Sequence, residues 1–152
     1  MKQEKKICLA CSAGGHLSEL TGLKEFYTKK NHFFITFERE DTKSLAKSEK
    51  VFFAQYPNRN PLLYLKCFLD CWKIIQKEKP DAIISTGSHI GVIACLVGKF
   101  FGKKTIFIES FCRIKEPSLS GKIAYLFCDL FIYQWKELEK FYPKGVYGGS
   151  IF

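Results

Sequence analysis

Three short loops carry the residue types in this chain that can do chemistry on an anionic substrate. The first is Ser12-Ala13-Gly14-Gly15-His16, set between the apolar run Ile7–Cys11 and a helical pattern beginning near Leu17. A strand that turns through glycines into a helix start directs backbone N–H groups outward, and the helix dipole there favours negative charge. His16 closes that turn at a strand's carboxyl end, where an imidazole can take a proton from an attacking hydroxyl. The second loop, Thr86-Gly87-Ser88, repeats the arrangement: a strand end, a glycine, small hydroxyls and a helix start. It is expected to face a phosphate or a sugar. The third is Glu109–Arg113, at the end of an otherwise apolar strand. Glu109 and Ser110 can hydrogen-bond sugar hydroxyls, and Arg113 can hold a phosphate through two parallel N–H groups.

Each loop also has a plainer reading. Gly14 and Gly15 can simply permit a tight turn with His16 capping the helix, and Glu109 with Arg113 can form a local ion pair. His89 is followed directly by Ile90 and Gly91 and reads as structural, whereas His32 reads as a solvent-facing turn residue. The first loop lacks the third glycine of the dinucleotide fingerprint and the Lys-Ser/Thr pair of a P-loop, so neither familiar nucleotide motif is present. A Rossmann-type nucleotide binder would draw on Glu38 or Asp41, near the second strand's end, as its ribose partner.

The elements that position these loops alternate between strand and helix. Strands are expected at 7–11, 33–37, 51–54, 81–85, 105–108 and 130–133. Helices are expected at about 17–29, 61–79, 89–101 and 119–127, with short ones near 42 and 136–141. Alternating apolar strands and helices define an α/β protein: a Rossmann-like parallel sheet with helices on both faces, here one domain over residues 1–152. Ligands in such sheets bind at the strands' carboxyl ends near a switch in strand order, where all three loops would converge. Gly91, Ala94 and Gly98 have the spacing of a closely packed buried helix. The helix from Pro61 is expected to cover the sheet with Leu65, Phe68, Leu69, Trp72 and Ile75. Its Leu62, Leu63, Cys67, Cys71 and Ile74 extend the apolar stripe beside a largely basic strip. Such a helix suits an anionic membrane surface or, equally, a doubly buried position.

The 24 Lys and Arg outnumber 15 Asp and Glu, a formal charge of +9 that calls for an anionic partner. The lysines are dispersed rather than striped, which argues against nucleic acid. The seven cysteines lie mostly in apolar runs and read as small, reduced, buried side chains. Cys8 and Cys11 have redox or zinc spacing, but no second pair completes a metal site, so no metal is expected. The charged Met1–Lys6 segment and its short apolar sequel do not make a signal peptide or a membrane span.

Taken together, Gly14-Gly15-His16, Lys79-Pro80-Asp81 before Ser85-Thr86-Gly87, Ile108-Glu109-Ser110-Phe111 and Gly148-Gly149 occur in an order that carries a resemblance. The chain resembles the acceptor-side subunit of the two-part N-acetylglucosaminyltransferase of N-glycan assembly, and equally the bacterial exopolysaccharide and capsule proteins of that type. It is also similar to the N-terminal half of the enzyme that adds N-acetylglucosamine to the lipid-linked peptidoglycan precursor. The resemblance implies the N-terminal, acceptor-binding domain of a GT-B glycosyltransferase. It implies that Ser12, Gly14, Gly15, Thr86, Gly87, Ser88, Ser110 and Arg113 face a lipid-diphosphate-linked saccharide, with His16 and Glu109 catalytic. It further implies a separate donor-binding subunit that carries the nucleotide sugar, this chain binding no cofactor itself. Gly148, Gly149, Ile151 and Phe152 are then expected to form part of the contact with that subunit. The expected location is cytoplasmic, peripheral on the inner face of the cell membrane.

Overall fold

The computed structural model describes residues 5–152; of the charged N-terminal segment, residues 1–4 lie outside the described residues. Seven strands form one parallel sheet: β1 (Lys6–Ala10), β2 (Asn31–Thr36), β3 (Val51–Phe53), β4 (Ala82–Ser85), β5 (Lys104–Ile108), β6 (Leu130–Tyr133) and β7 (Val146–Tyr147), in the order β3-β2-β1-β4-β5-β6-β7. The chain winds outward from β1 to β3, returns to the centre, and winds the other way from β4. The switch therefore lies between β1 and β4, where Ala10 pairs with Ser85. The helices are α1 (Gly15–Thr21), α2 (Lys24–Tyr27), α3 (Glu40–Leu45), α4 (Pro61–Glu78), α5 (Ser88–Phe100) and α6 (Leu119–Tyr125), with a 3-10 turn at Lys136–Leu138. The expected alternation is present throughout. The short β7 is an addition, a two-residue edge strand too brief to give a pattern in sequence.

Both faces of the sheet are covered. On one, Cys8, Phe33, Ile83 and Phe107 pack beneath α4, α5 and α6; on the other, Leu9, Phe34 and Ile84 pack against Leu17, Leu20 and Tyr27. Burying each large side chain of this kind stabilises the fold by roughly 1.5–3 kcal/mol. Gly91 and Gly98 let α5 lie directly on the sheet, since a Cβ at either would run into Ser85 or Ile83.

Four expectations change. The helix expected over 17–29 is two helices, interrupted at Gly22-Leu23, where the chain's own tail packs closely: a Cβ at Gly22 would stand 2.5 Å from Ile151 Cγ2. The core face of α4 is Cys67, Cys71 and Ile75, with Tyr64 and Phe68 partly buried, while Leu62, Leu65 and Leu69 point outward. Small cysteines fit where α4 approaches the sheet beside α5, so the leucines take the opposite side. His32 lies within β2, half-buried, its ring 4.9 Å from Tyr27 and hydrogen-bonded to Glu49 at 2.9 Å, rather than facing solvent. Finally, Cys112 is exposed and Cys128 partly so, although the other five cysteines are buried and all seven are free thiols. Among the described residues, no helix is long and apolar enough to cross a membrane.

Candidate functional site

The loops after β1, β4 and β5 meet at the switch point, and His16 links the first two. Its Nδ1 lies 2.9 Å from the Thr86 carbonyl, and the Thr86 hydroxyl donates to the His16 carbonyl at 2.6 Å. Only a protonated Nδ1 can bond to a carbonyl, so the neutral ring carries its lone pair on Nε2. Gly87 makes this clamp possible. Its φ of +129° excludes ordinary side chains, and a Cβ there would sit 2.7 Å from both Cε1 and Nδ1 of His16. The Gly87 N–H is held in turn by Ser85 Oγ at 3.0 Å. Thr86 is fully buried, so it and Gly87 set the histidine in place and do not themselves face the opening. Ser88 also adopts positive φ, and its buried Oγ has no hydrogen-bond partner.

Beside this clamp a crevice of about 390 Å³ is lined by Gly15, His16, Glu19, Ser110, Cys112, Arg113, Ser118, Leu119 and Ser120. Gly15, His16, Ser110 and Arg113 are thus brought together as the sequence suggested. Ser12 is buried beneath the loop and does not line the crevice. The Gly14 N–H, expected to meet a phosphate, donates to Asp41 Oδ2 at 2.7 Å. A carboxylate from the first turn of α3 therefore occupies the anion position over that amide.

Glu109, expected to be catalytic, does not line the crevice. It is 1% exposed, and every hydrogen bond it makes is internal. Oε1 accepts from Ser110 N at 2.9 Å and Ser118 Oγ at 2.7 Å, and Oε2 accepts from Ser118 N at 3.1 Å and Tyr142 Oη at 2.6 Å. At the carboxyl end of β5 the side chain turns inward, against the start of α6, and fastens the 109–118 loop instead of facing the crevice. Burial, reinforced by this carboxylate, pushes the Tyr142 hydroxyl pKa well up, so the tyrosine stays a donor.

The carboxylate that does line the crevice is Glu19, one helical turn beyond His16. It accepts from Ser110 Oγ at 2.8 Å, Phe111 N at 3.2 Å and Gln134 Nε2 at 3.4 Å, joining α1 to the loop after β5. Its i+3 spacing from His16 was the available signal. For Ser118 the signal is its N-cap position before an apolar helix, and its Oγ accepts from Gly121 N at 2.8 Å. Gln134 also ties down the tail, accepting from Ile151 N at 2.9 Å. Ile151 packs within the chain's own core, Gly148 N donates to the Tyr133 carbonyl, and Phe152 lies edge-on to Phe111 at 5.3 Å. Of the four tail residues expected to meet a partner, Phe152 offers the most surface. Among the described residues, no group of three or more His, Cys, Asp or Glu side chains gathers to hold a metal ion.

A parallel sheet with this strand order, opening on a crevice at the β1/β4 switch, is the fold of a GT-B glycosyltransferase domain. The UDP-N-acetylglucosamine 2-epimerase of Rickettsia bellii superposes with a TM-score of 0.78 over 98% of this chain and 46% of its own, at 14% identity. MurG of Acinetobacter baumannii does so with a TM-score of 0.74 over 88% and 42%, at 11% identity. The family described as "Oligosaccharide biosynthesis protein Alg14 like" matches residues 57–151, and the chain belongs to that family. The UDP-N-acetylglucosamine transferase subunit alg14 of Schizosaccharomyces pombe is 43% identical over 77 residues, which span 47% of this chain and 37% of that protein. The ALG14 subunit of Homo sapiens is 39% identical over 84 residues, 51% of this chain and 39% of that protein. The chain thus spans under two fifths of the length of either relative.

Proposed function

We propose that this chain is the acceptor-side subunit of a two-component glycosyltransferase. Its crevice holds a lipid-diphosphate-linked saccharide, and a separate subunit presents the nucleotide sugar. The observation that carries this reading is the His16–Thr86 clamp, which leaves Nε2 as the unprotonated nitrogen beside a crevice that also presents Arg113. In the reaction an acceptor sugar hydroxyl attacks the anomeric carbon of the donor. The bond from that carbon to the nucleoside diphosphate breaks, and the hydroxyl proton passes to His16 Nε2. Arg113 and the backbone at Gly15 balance the acceptor's diphosphate charge. Glu19 and Glu109 act through the loop they fasten. Glu19 sets Ser110 and Phe111, and Glu109 sets Ser118.

The relatives' names favour N-acetylglucosamine as the sugar and uridine diphosphate as its carrier. Their pathway supports an N-glycan-type acceptor, and a bacterial exopolysaccharide or capsule acceptor is the narrower alternative. Transfer assays with a short lipid-diphosphate acceptor carrying each type of saccharide distinguish them. The reading places the pair on the cytoplasmic side of a membrane.

A second reading, a non-catalytic scaffold that recruits the donor subunit, draws support from Asp41, which closes the Gly14 amide to a phosphate. His16→Ala in the reconstituted pair separates the two. Loss of turnover by about 10²–10⁴ with the complex intact on size exclusion supports the base role. Unchanged turnover supports the scaffold.

A further inference from the structure

A second opening lies farther along the same sheet edge, where β2 and β3 finish beside α4. Phe37 follows β2, and Ala54, Gln55 and Tyr56 follow β3. The Ala54 N–H donates to the Thr36 carbonyl at 2.8 Å and holds the two segments side by side. With Lys66 and Asp70 of α4 they line a cavity of about 370 Å³. That volume falls within the ~300–1,000 Å³ range of small-molecule pockets. None of its lining residues belongs to the crevice beside His16.

The cavity combines aromatic surface with fixed polar groups. The Phe37 and Tyr56 rings stand 4.5 Å apart between centroids, their planes inclined at 39°, and form an aromatic corner. Tyr56 is exposed and Phe37 half-buried, so ring surface stays open to the cavity. The Gln55 N–H donates to Asp70 Oδ2 at 2.9 Å, which fixes that carboxylate at the wall and leaves Oδ1 as an acceptor. The Gln55 side chain donates through Nε2 to the Tyr56 carbonyl at 3.1 Å, which leaves Oε1. Lys66, one turn before Asp70 on the same side of α4, adds a donor. A pyranose presents C–H bonds on its faces and hydroxyls around its rim, and this lining complements both. Charge narrows the ligand further. In a chain of net charge +9, Glu38 and Asp70 give this cavity two carboxylates against the single ammonium of Lys66. Such a lining repels phosphate and favours an uncharged ligand.

We propose that this cavity is a saccharide subsite, separate from the His16 crevice, that takes one uncharged sugar ring. The C–H face of the ring packs on Phe37 and Tyr56, and its hydroxyls bond to Asp70 Oδ1, Gln55 Oε1 and the Lys66 ammonium. In the sheet β3 lies two strands from β1, so their carboxyl ends are about 10 Å apart on one edge. The segment after Glu38 links the two neighbourhoods. Asp41 accepts from Gly14 N, and a Cβ at Gly14 would lie 4.0 Å from Arg39 Nη1. With a diphosphate-linked sugar in the crevice, the cavity receives the sugar of the saccharide that is farther from the diphosphate. This last point rests on the proposed function; the binding itself does not.

Titration of the full, isotopically labelled chain with free N-acetylglucosamine, followed by amide NMR, tests the subsite. The expected result is saturable binding that moves the Gln55 and Tyr56 amide resonances and leaves those of His16 and Ser110 in place. Affinity should fall about five- to tenfold in Tyr56→Ala and in Asp70→Asn, and stay unchanged in Arg113→Ala. Asp70→Asn keeps an oxygen for the Gln55 N–H, so it removes a ligand contact without releasing the loop. Circular dichroism checks the fold of each variant, and the wild-type shift pattern needs no variant at all. Uridine monophosphate should not displace the sugar. Absence of saturable binding, shifts centred on His16 and Ser110, or full affinity in both cavity variants overturns the proposal. So does displacement by uridine monophosphate, which assigns the cavity to a nucleotide. These measurements involve no donor subunit, lipid acceptor or sugar transfer, so they stand or fall separately from the enzymatic reading.

Discussion

Replacing Glu109 by glutamine separates a structural carboxylate from a catalytic one. The carboxylate accepts four hydrogen bonds, two of them from backbone N–H groups. An amide nitrogen cannot accept, so one side of the substituted side chain must face a backbone donor that loses its partner. The least damaging placement turns the NH2 toward Tyr142, whose hydroxyl can accept, and leaves the Ser118 N–H unpaired. An unsatisfied buried donor costs roughly 1–3 kcal/mol, and the remaining bonds fall from charged to neutral strength. The sum is about 3 kcal/mol of lost stability, which for a domain of this size lowers the melting temperature by about 6–12 °C. Calorimetry of the isolated chain measures this, and sugar transfer normalised to folded protein measures the rest. Turnover per folded molecule should fall only modestly, because the loop from Ser110 to Ser118 loosens but no reacting group is lost. A variant as stable as the wild type that has lost transfer would refute this reasoning and return Glu109 to the chemistry.

Three further outcomes follow from the same geometry. Gly87→Ala should displace the His16 ring and strain the backbone by about 1–3 kcal/mol; the check is a shifted His16 ring proton resonance together with reduced thermal stability. Asp41→Ala frees the Gly14 amide and removes a negative charge from beside the β1–α1 loop, so pyrophosphate should bind about fivefold more tightly by titration calorimetry. Asp129 is held to a pKa of about 2 by its bonds to Lys99 and to the Thr105 backbone and hydroxyl. Since the folded pKa lies below the unfolded value, its stabilisation is present above about pH 4 and disappears as pH falls through 2. Asp129→Asn should therefore cost on the order of 1 kcal/mol at neutral pH, after screening by solvent, and less than half of that near pH 2. Urea denaturation at the two pH values reads the difference.

Much of the architecture was legible because its signals are local. The apolar runs that became β1, β2, β4, β5 and β6 are short and bounded by loop residues. Asn60-Pro61 and Lys79-Pro80 mark the ends of α4, where the Asn60 side chain accepts from Leu62 N at 2.9 Å. Glycine and hydroxyl residues at strand ends marked the crevice, since sheet topology brings such ends together whatever the side chains between them. Orientation was less legible. Periodicity showed that α4 is apolar around most of its circumference, but three-dimensional packing chose cysteines for the core and left leucines outside.

The same limit applied to the site. From the sequence came the position of His16, Gly15, Ser110 and Arg113 at one crevice, because each follows a parallel strand whose carboxyl end must lie there. Only the tertiary structure decided what each group does. A side chain at a strand end can turn toward the opening or toward the next helix, and that choice depends on donors distant in sequence. Tyr142, 33 residues beyond Glu109, helps draw that carboxylate inward. Thr86, 70 residues beyond His16, fixes which ring nitrogen is free. Asp41, 27 residues beyond Gly14 in the first turn of α3, covers an amide that the loop alone would have left for a phosphate.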